Sequence, residues 1–217
     1  MAAPDGHAVV CVHGLWLSGY ATGFWRKHFS KAGYAAHAFS YPSVTMALDA
    51  CVERLADFAA ALPEQEVHFT GHSLGGVLIA AMLAAHGWKI PGKRLGRIVL
   101  AGSPYQGSHV ARELGRRGPW ATRLLGRALA DWQSGHPPAV PAGVALGVIA
   151  GTRPLGAGRI FGPGLPRPHD GTVSVAETRV EGAREHLTLA VSHTEMLMSA
   201  RVAHQLLTFV EHGKFSR

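Results

Sequence analysis

Apolar residues along this chain fall into short unbroken runs that alternate with longer stretches in which apolar residues recur every three or four positions. Short runs rich in β-branched and aromatic residues indicate strands, and the longer spacing indicates amphipathic helices. These patterns predict strands at residues 8–12, 35–41, 67–70, 97–102, 143–151 and 186–191. They predict helices at residues 24–32, 45–62, 77–86 and 195–211.

The predicted strands are continuously apolar rather than alternately apolar and polar. Continuous apolar strands between helices are typical of a parallel sheet that is covered on both faces. Pro63 and Gly213 follow predicted helices and are expected to end them. We therefore expect an α/β fold with a mostly parallel sheet and helices on both faces.

Residues 105–140 interrupt the alternation. The segment carries five arginines, from Arg112 to Arg127, interleaved with leucine and tryptophan. Gly118-Pro119 is expected to divide it into two short helices. One interpretation is a short amphipathic cap over an active site, and the alternative is a pair of surface helices with solvated arginines. We call residues 105–140 the cap.

Length and composition favour one compact unit. The 217 residues have a mass of 23.0 kDa and 47% of them are hydrophobic, so we expect a single domain, residues 1–217, with the cap as an insertion. No apolar run approaches the about 18 residues that span a bilayer, and the first strand begins too soon after Met1 for a signal peptide. Cys11 and Cys51 do not form a disulfide framework, so buried thiols and a cytoplasmic location are expected.

The chain is basic, with a net charge of +7 and a pI of about 9.9. Such a balance is compatible with attraction to nucleic acid, to an anionic membrane surface or to acidic substrates. No zinc-finger, helix-turn-helix or RNP-like pattern accompanies the charge, so nucleic-acid binding is not expected. A solvated basic surface is favoured, transient contact with an anionic membrane surface stays open, and the oligomeric state is unspecified.

One stretch indicates chemistry, the sequence Gly71-His72-Ser73-Leu74-Gly75-Gly76. A predicted strand precedes it and a predicted helix follows it. Gly71 and Gly75 flank Ser73 with the G-x-S-x-G spacing of a nucleophile elbow, a strained strand-to-helix turn that exposes the serine hydroxyl. The motif is common by itself, but this context makes Ser73 a candidate nucleophile.

A serine nucleophile needs a base, and imidazole fits because its pKa lies near the working pH. Of 14 histidines, His193 follows the final predicted strand, at the sheet edge where loops converge, and is the predicted base. His13 is expected to support its own loop, and His72 to be a packing residue that points away from Ser73. The histidines and cysteines lack metal-ligand spacing, so no metal is expected.

A carboxylate must then hold the imidazole in one tautomer and stabilise its cation. Asp170 follows the penultimate predicted strand, in His169-Asp170-Gly171-Thr172-Val173, and lies between serine and histidine along the chain. Asp131 follows an earlier strand and is the alternative. We favour Asp170.

Negative charge that develops on a carbonyl oxygen needs two fixed backbone donors. The N–H of Leu74, at the start of the elbow helix, is one candidate, and the N–H of Leu15, after the first strand, is the other. Trp16, Leu17 and Tyr105 are candidate residues of a substrate pocket. Trp16 and Leu17 could instead anchor their loop.

Five segments together resemble the α/β-hydrolase superfamily, and within it the small bacterial lipases and esterases. They are residues 9–15, 71–76, 102–108, 170–173 and 192–193. The resemblance implies an α/β-hydrolase fold in which Ser73 is the nucleophile, Asp170 the acid and His193 the base, with Leu15 and Leu74 as oxyanion donors. It also implies hydrolysis of a small-molecule or lipid ester through an acyl-enzyme, without a cofactor. Thioester cleavage, acyl transfer and a non-catalytic lipid-binding or membrane-binding module are the alternatives.

Overall fold

A six-stranded sheet forms the centre of the molecule, with the strand order β2-β1-β3-β4-β5-β6. The computed structural model describes residues 6–134, 138–156 and 164–216. The strands are β1 His7–Val12, β2 Ala35–Phe39, β3 Glu66–His72, β4 Arg94–Ala101, β5 Leu146–Gly151 and β6 Glu185–Leu189. Every neighbouring pair runs parallel, which confirms the sequence prediction.

Helices connect the strands. Within the described ranges they are α1 Gly23–Lys31, α2 Leu48–Ala60, α3 Leu74–Ala85, α4 His109–Gly115, α5 Pro119–Ser134 and α6 Ala200–His212. Gly213 ends α6 in the left-handed conformation, with φ 69°, as its position after an amphipathic stretch predicts. None of these helices combines the length and the apolar character that crossing a membrane requires.

Successive strand residues point to opposite faces of the sheet, and both faces are covered. Val10 packs in a core with residues of α2 and α3, whereas its neighbour Val9 packs in a second core with Trp25 of α1 and Phe209 of α6. Burial of each large apolar side chain contributes about 1.5–3 kcal/mol. The two cores therefore fix the strand ends, and with them the loops at the carboxyl edge of the sheet.

Two helices, α4 and α5, make up the cap, and the break between them falls at Gly118 as predicted. Ser108 caps α4 by accepting a hydrogen bond from the N–H of Ala111 at 3.2 Å, and α5 is kinked at Gly126, where φ is 72°. A Cβ at Gly126 would lie 2.6 Å from the Cα of Val44, so the kink allows a close approach of the cap to the loop before α2. Residues 135–137 of the cap lie outside the described residues.

The predicted final helix, residues 195–211, is divided in the structure. Glu195–Leu197 forms a 3₁₀ turn, and α6 begins only at Ala200, after Ser199 accepts a hydrogen bond from the N–H of Val202 at 3.3 Å. The interruption keeps residues 192–198 in a separate loop after β6. That loop carries His193.

Both cysteines are buried and unpaired, as the composition predicts. Cys11 lies in β1, and the hydroxyl of Thr70 donates a hydrogen bond to its sulfur at 3.2 Å. Burial raises the pKa of the Cys11 thiol to about 12, against smaller opposing effects of Thr70 and Arg26. Burial also raises the pKa of Cys51, so both side chains stay as thiols at neutral pH.

Candidate active site

Ser73 is a non-glycine residue with a positive φ, between the end of β3 and the start of α3. Its dihedrals are φ 53° and ψ −123°, a conformation that costs about 1–3 kcal/mol and persists only where the surroundings enforce it. Its N–H donates to the carbonyl of Ala101 at 2.9 Å, and its carbonyl accepts from the N–H of Gly76 at 3.1 Å. The turn is therefore held from β4 on one side and from α3 on the other.

The glycines around Ser73 are required by close contact. A Cβ at Gly71 would lie 2.5 Å from the Cα of Gly76, and a Cβ at Gly75 would lie 2.4 Å from the carbonyl oxygen of Val12. A Cβ at Gly76 would lie 2.0 Å from the hydroxyl oxygen of Ser103. A side chain at Gly71 or Gly75 would force the backbone to move, and one at Gly76 would displace the Ser103 side chain. The G-x-S-x-G-G sequence therefore lets α3 pack against β1, β3 and β4.

His193 and Asp170 form a hydrogen-bonded pair. The Nδ1–H of His193 donates to Oδ2 of Asp170 at 2.7 Å, and the backbone N–H of His193 donates to the carbonyl of Asp170 at 2.9 Å. Asp170 is fully buried. The contact with Asp170 fixes the tautomer, and Nε2 is the nitrogen left to accept a proton.

The turn after Asp170 keeps its carboxylate charged. Its other oxygen, Oδ1, accepts from the N–H of Thr172 at 2.9 Å and from the N–H of Val173 at 2.7 Å. Burial by itself would raise the pKa of Asp170, but His193 and these two N–H groups outweigh burial and hold the pKa below its ordinary value. The carboxylate can therefore stabilise an imidazolium at neutral pH.

The structure brings Ser73 and His193 to one cavity of about 260 Å³ at the carboxyl edge of the sheet. The alternative acid, Asp131, lies on α5, where its Oδ2 accepts from the N–H of Leu48 at the start of α2 at 3.0 Å. Asp131 is thus placed at a helix N-terminus, and Asp170 is placed against His193.

Both candidate oxyanion donors, Leu15 and Leu74, line this cavity. Leu74 is the first residue of α3, and the N–H at that position has no partner within its own helix. The N–H of Trp16 donates to the hydroxyl of Ser43 at 3.1 Å, whereas among the described hydrogen bonds none engages the N–H of Leu15. The two N–H groups are available to a ligand.

His13 supports the loop that contains Leu15. Its ring Nδ1–H donates to the carbonyl of Gly14 at 2.8 Å, and its Nε2 accepts from the N–H of Tyr41 at 3.2 Å. Burial, partly offset by the Gly14 hydrogen bond, lowers the pKa of His13. His13 is therefore a neutral structural residue, in the supporting position that the sequence predicts.

The cavity wall is almost entirely apolar and has no charged side chain among the described lining residues. Trp16 and Leu17 line it, and so do the cap residues Val110, Leu114, Leu125 and Leu129. Sequence reasoning did not single out these four cap residues as pocket residues. Their i, i+4 spacing within α4 and within α5 is the signal that could have found them.

Tyr105 is not placed in the cavity wall, contrary to the sequence-based expectation. Its side chain is buried and its hydroxyl donates to the carbonyl of Pro138. The indole N–H of Trp132 donates to the carbonyl of Tyr105 at 3.1 Å, and the two rings meet edge to face. Tyr105 joins the start of the cap to its end through these contacts.

A second group of titratable side chains lies at the amino ends of the central strands β1 and β3. Nδ1 of His7 is 3.2 Å from Nε2 of His68, and Oε1 of Glu66 is within 3.6 Å of both, a spacing that a metal ion could fit. However, the N–H of Arg97 donates to Nδ1 of His68 at 2.9 Å. In the neutral ring Nε2 of His68 then carries the proton and is not free to bind a metal. This group is a hydrogen-bonded histidine pair.

Comparison with known proteins adds a family and a set of related folds. A family model described as the alpha/beta hydrolase family matches residues 9–209. No curated protein matches the chain by sequence.

Several solved structures resemble the chain in fold. The mature lipase BlEst2 of Bacillus licheniformis has a TM-score of 0.68 and 19% identity, covering 99% of this chain and 95% of that one. The metagenomic carboxyl esterase MGS0156 has a TM-score of 0.67 and 17% identity, covering 88% of this chain and 66% of that one. The RedJ thioesterase of the prodiginine pathway of Streptomyces coelicolor has a TM-score of 0.59 and 16% identity, covering 99% and 91%. At these identities the likeness establishes the fold.

Proposed function

Since the chain belongs to the alpha/beta hydrolase family, we propose that it is a serine hydrolase that cleaves carboxylic esters through Ser73, His193 and Asp170. The observation that carries the proposal is the 2.7 Å contact between Nδ1 of His193 and Oδ2 of Asp170 beside an apolar cavity that Ser73 also lines. A buried acid–base pair next to a serine in a strained turn has the parts that acyl transfer needs.

The reaction has two halves. The Ser73 oxygen attacks the ester carbonyl while Nε2 of His193 takes the hydroxyl proton, and the negative carbonyl oxygen accepts hydrogen bonds from the N–H groups of Leu15 and Leu74. Collapse of this intermediate breaks the ester C–O bond, and His193 gives its proton to the leaving alkoxide. Water then attacks the acyl-Ser73 ester with His193 again as the base, which releases the acid and restores Ser73.

The shape and polarity of the cavity favour an uncharged substrate with a short or medium acyl group. A volume of about 260 Å³ is just below the range of about 300–1,000 Å³ typical of ligand pockets. Because the described lining lacks a charged side chain, a carboxylate on the acyl group would be buried without a partner. The cap arginines whose side chains the structure describes do not supply one, since Arg112, Arg116, Arg117 and Arg127 are exposed.

Covalent labelling by a fluorophosphonate tests the nucleophile. Wild type is expected to be labelled, Ser73→Ala is expected to lose labelling and hydrolysis, and Ser30→Ala, which changes an exposed serine of α1, is expected to keep both. A panel of p-nitrophenyl esters of increasing chain length then measures the acyl preference. Absence of labelling in folded wild-type protein, with an active esterase labelled in parallel, would refute the proposal.

The same residues could cleave a thioester or transfer the acyl group to another alcohol. One structural relative is named a thioesterase, and a matched oxygen-ester and thioester pair with one acyl group would separate these activities. A non-catalytic lipid-binding role predicts instead that Ser73→Ala leaves binding to lipid vesicles unchanged and that wild type hydrolyses no ester.

A further inference from the structure

His72, the residue before Ser73, is bonded to the backbone of His193. Its Nε2 lies 2.9 Å from the carbonyl oxygen of His193, and the two rings are 4.7 Å apart between centroids. His72 is only 2% exposed. The last residue of the nucleophile strand and the loop of the base are thus tied together by a side chain that has no assigned part in the reaction.

The partner atom fixes the protonation of His72. A carbonyl oxygen can only accept, so Nε2 of His72 carries the hydrogen and donates it. Its other nitrogen, Nδ1, is buried and has no hydrogen-bond partner. Burial, and next the neighbouring His193, lower the pKa of His72 to about 3. The ring therefore stays neutral while His193 gains and loses its proton.

The backbone of His193 is held on both sides of its Cα. Its N–H donates to the carbonyl of Asp170, and its carbonyl accepts from His72. The neighbouring turn is fixed further along, where the indole N–H of Trp25 donates to the carbonyl of Met196 at 3.0 Å. Among these contacts, only the bond from His72 comes from the residue adjacent to the nucleophile.

We infer that His72 is a positioning residue: its Nε2–H bond to the His193 carbonyl holds the base in register with Ser73. The inference rests on the proposed function, because it assigns a role in the same reaction. A displacement of about 1 Å between reacting groups can lower a rate by about 10²-fold. Loss of this one bond is therefore expected to act on turnover more than on substrate binding.

Two substitutions separate the donor from the bulk of the ring. His72→Gln keeps an N–H donor near the position of Nε2, and His72→Leu fills similar space without a donor. We expect His72→Leu to lower kcat by about 10- to 100-fold with little change in KM, and His72→Gln to recover most of the loss. The acid limb of the kcat/KM profile is expected to move to lower pH in His72→Leu, because a loosened His193 loses part of its contact with Asp170.

His68 provides matched controls on the same strand. It is buried to a similar degree, and its pKa is likewise lowered to about 3, first by burial. It lies near the amino end of β3, whereas His72 lies at the carboxyl end. His68→Leu and His68→Gln are expected to lower Tm about as much as the His72 variants while kcat and the pH profile stay as in wild type. Equal loss of kcat in His72→Leu and His72→Gln, or wild-type kcat in His72→Leu, would overturn the inference.

A readout that does not need activity keeps this result separate from the proposed function. Long-range ¹H–¹⁵N spectra of the histidine rings report the tautomer, and the His72 ring is expected to stay neutral and protonated at Nε2 across the range in which other histidines titrate. If wild type neither hydrolyses esters nor reacts with fluorophosphonate, the proposed function fails even where this tautomer is observed. A charged or Nδ1-protonated His72 would overturn the inference whatever the activity.

Discussion

Replacement of Asp170 by Asn is expected to lower kcat by about 10⁴-fold while the protein stays folded. The same substitution in a Ser-His-Asp enzyme of another fold has an effect of about this size with its geometry intact. At about 1.36 kcal/mol for each tenfold change, the loss corresponds to about 5.4 kcal/mol of transition-state stabilisation. The expectation depends on which atom of the new amide would face His193.

The backbone around residue 170 decides that orientation. The N–H groups of Thr172 and Val173 both donate to Oδ1, so the amide oxygen of Asn must take this place. The NH₂ group then takes the place of Oδ2, 2.7 Å from Nδ1 of His193. Because NH₂ can only donate, His193 must present Nδ1 as an acceptor and carry its proton on Nε2. In that tautomer His193 cannot accept the proton of Ser73.

Hydrolysis of a p-nitrophenyl ester at saturating concentration measures the effect, with circular dichroism to verify folding. Asp131→Asn is the matched control: its side chain binds the start of α2, an Asn oxygen can accept the same hydrogen bond, and kcat is expected to stay near that of wild type. A kcat of Asp170→Asn within about tenfold of wild type would refute the reasoning. A large loss in Asp131→Asn alone would assign the acid to Asp131.

Four other perturbations test separate parts of the structure. The pKa of Asp170 lies below its unfolded value of about 3.9, so its contribution to stability is complete above that value and is lost as pH falls through the folded pKa. The free energy of unfolding, measured in urea, should therefore fall more steeply with decreasing pH in wild type than in Asp170→Asn. Gly151→Ala is expected to destabilise by about 1–3 kcal/mol, since a Cβ would lie 2.7 Å from the Cβ of Asp170; an unchanged urea midpoint would contradict this contact. Leu129→Phe narrows the cavity that Leu129 lines and should shift the ester preference to shorter acyl chains. An unchanged preference would show that the acyl group does not bind next to Leu129. Arg117 is exposed on the cap and should contribute about 1 kcal/mol to the free energy of salt-sensitive binding to anionic vesicles. Equal co-flotation of Arg117→Glu and wild type with such vesicles would argue against membrane contact through the cap.

The elbow was predictable because its requirements are local. Gly71 and Gly75 are needed where strand and helix approach within contact distance, and no other residue type satisfies that geometry. Asp170 was selected over Asp131 by position along the chain, which in a parallel sheet also gives position along one edge. These rules locate loops, whereas the hydrogen bonds between loops depend on the folded chain.

The features that sequence patterns missed depend on contacts between distant segments. Helix α2 begins at Leu48, where Asp131 from the cap binds its first N–H, rather than at residue 45. Tyr105 follows β4 closely, as a pocket residue would, but its hydroxyl bonds to Pro138. His72 has the neighbours of an ordinary buried ring, and only the fold reveals that its partner is residue 193. No periodicity within a short window carries this information.

The two buried thiols make the chain convenient for spectroscopic labelling without prior removal of native cysteines. Burial raises the pKa of the Cys11 thiol and thereby keeps it protonated and unreactive at neutral pH, and Cys51 is buried as well. A maleimide or a nitroxide reagent would therefore react with cysteines introduced at exposed sites such as Ser30 and Arg117. A spin-label pair at those two positions would measure the distance between α1 and the cap directly, with and without a bound ester analogue.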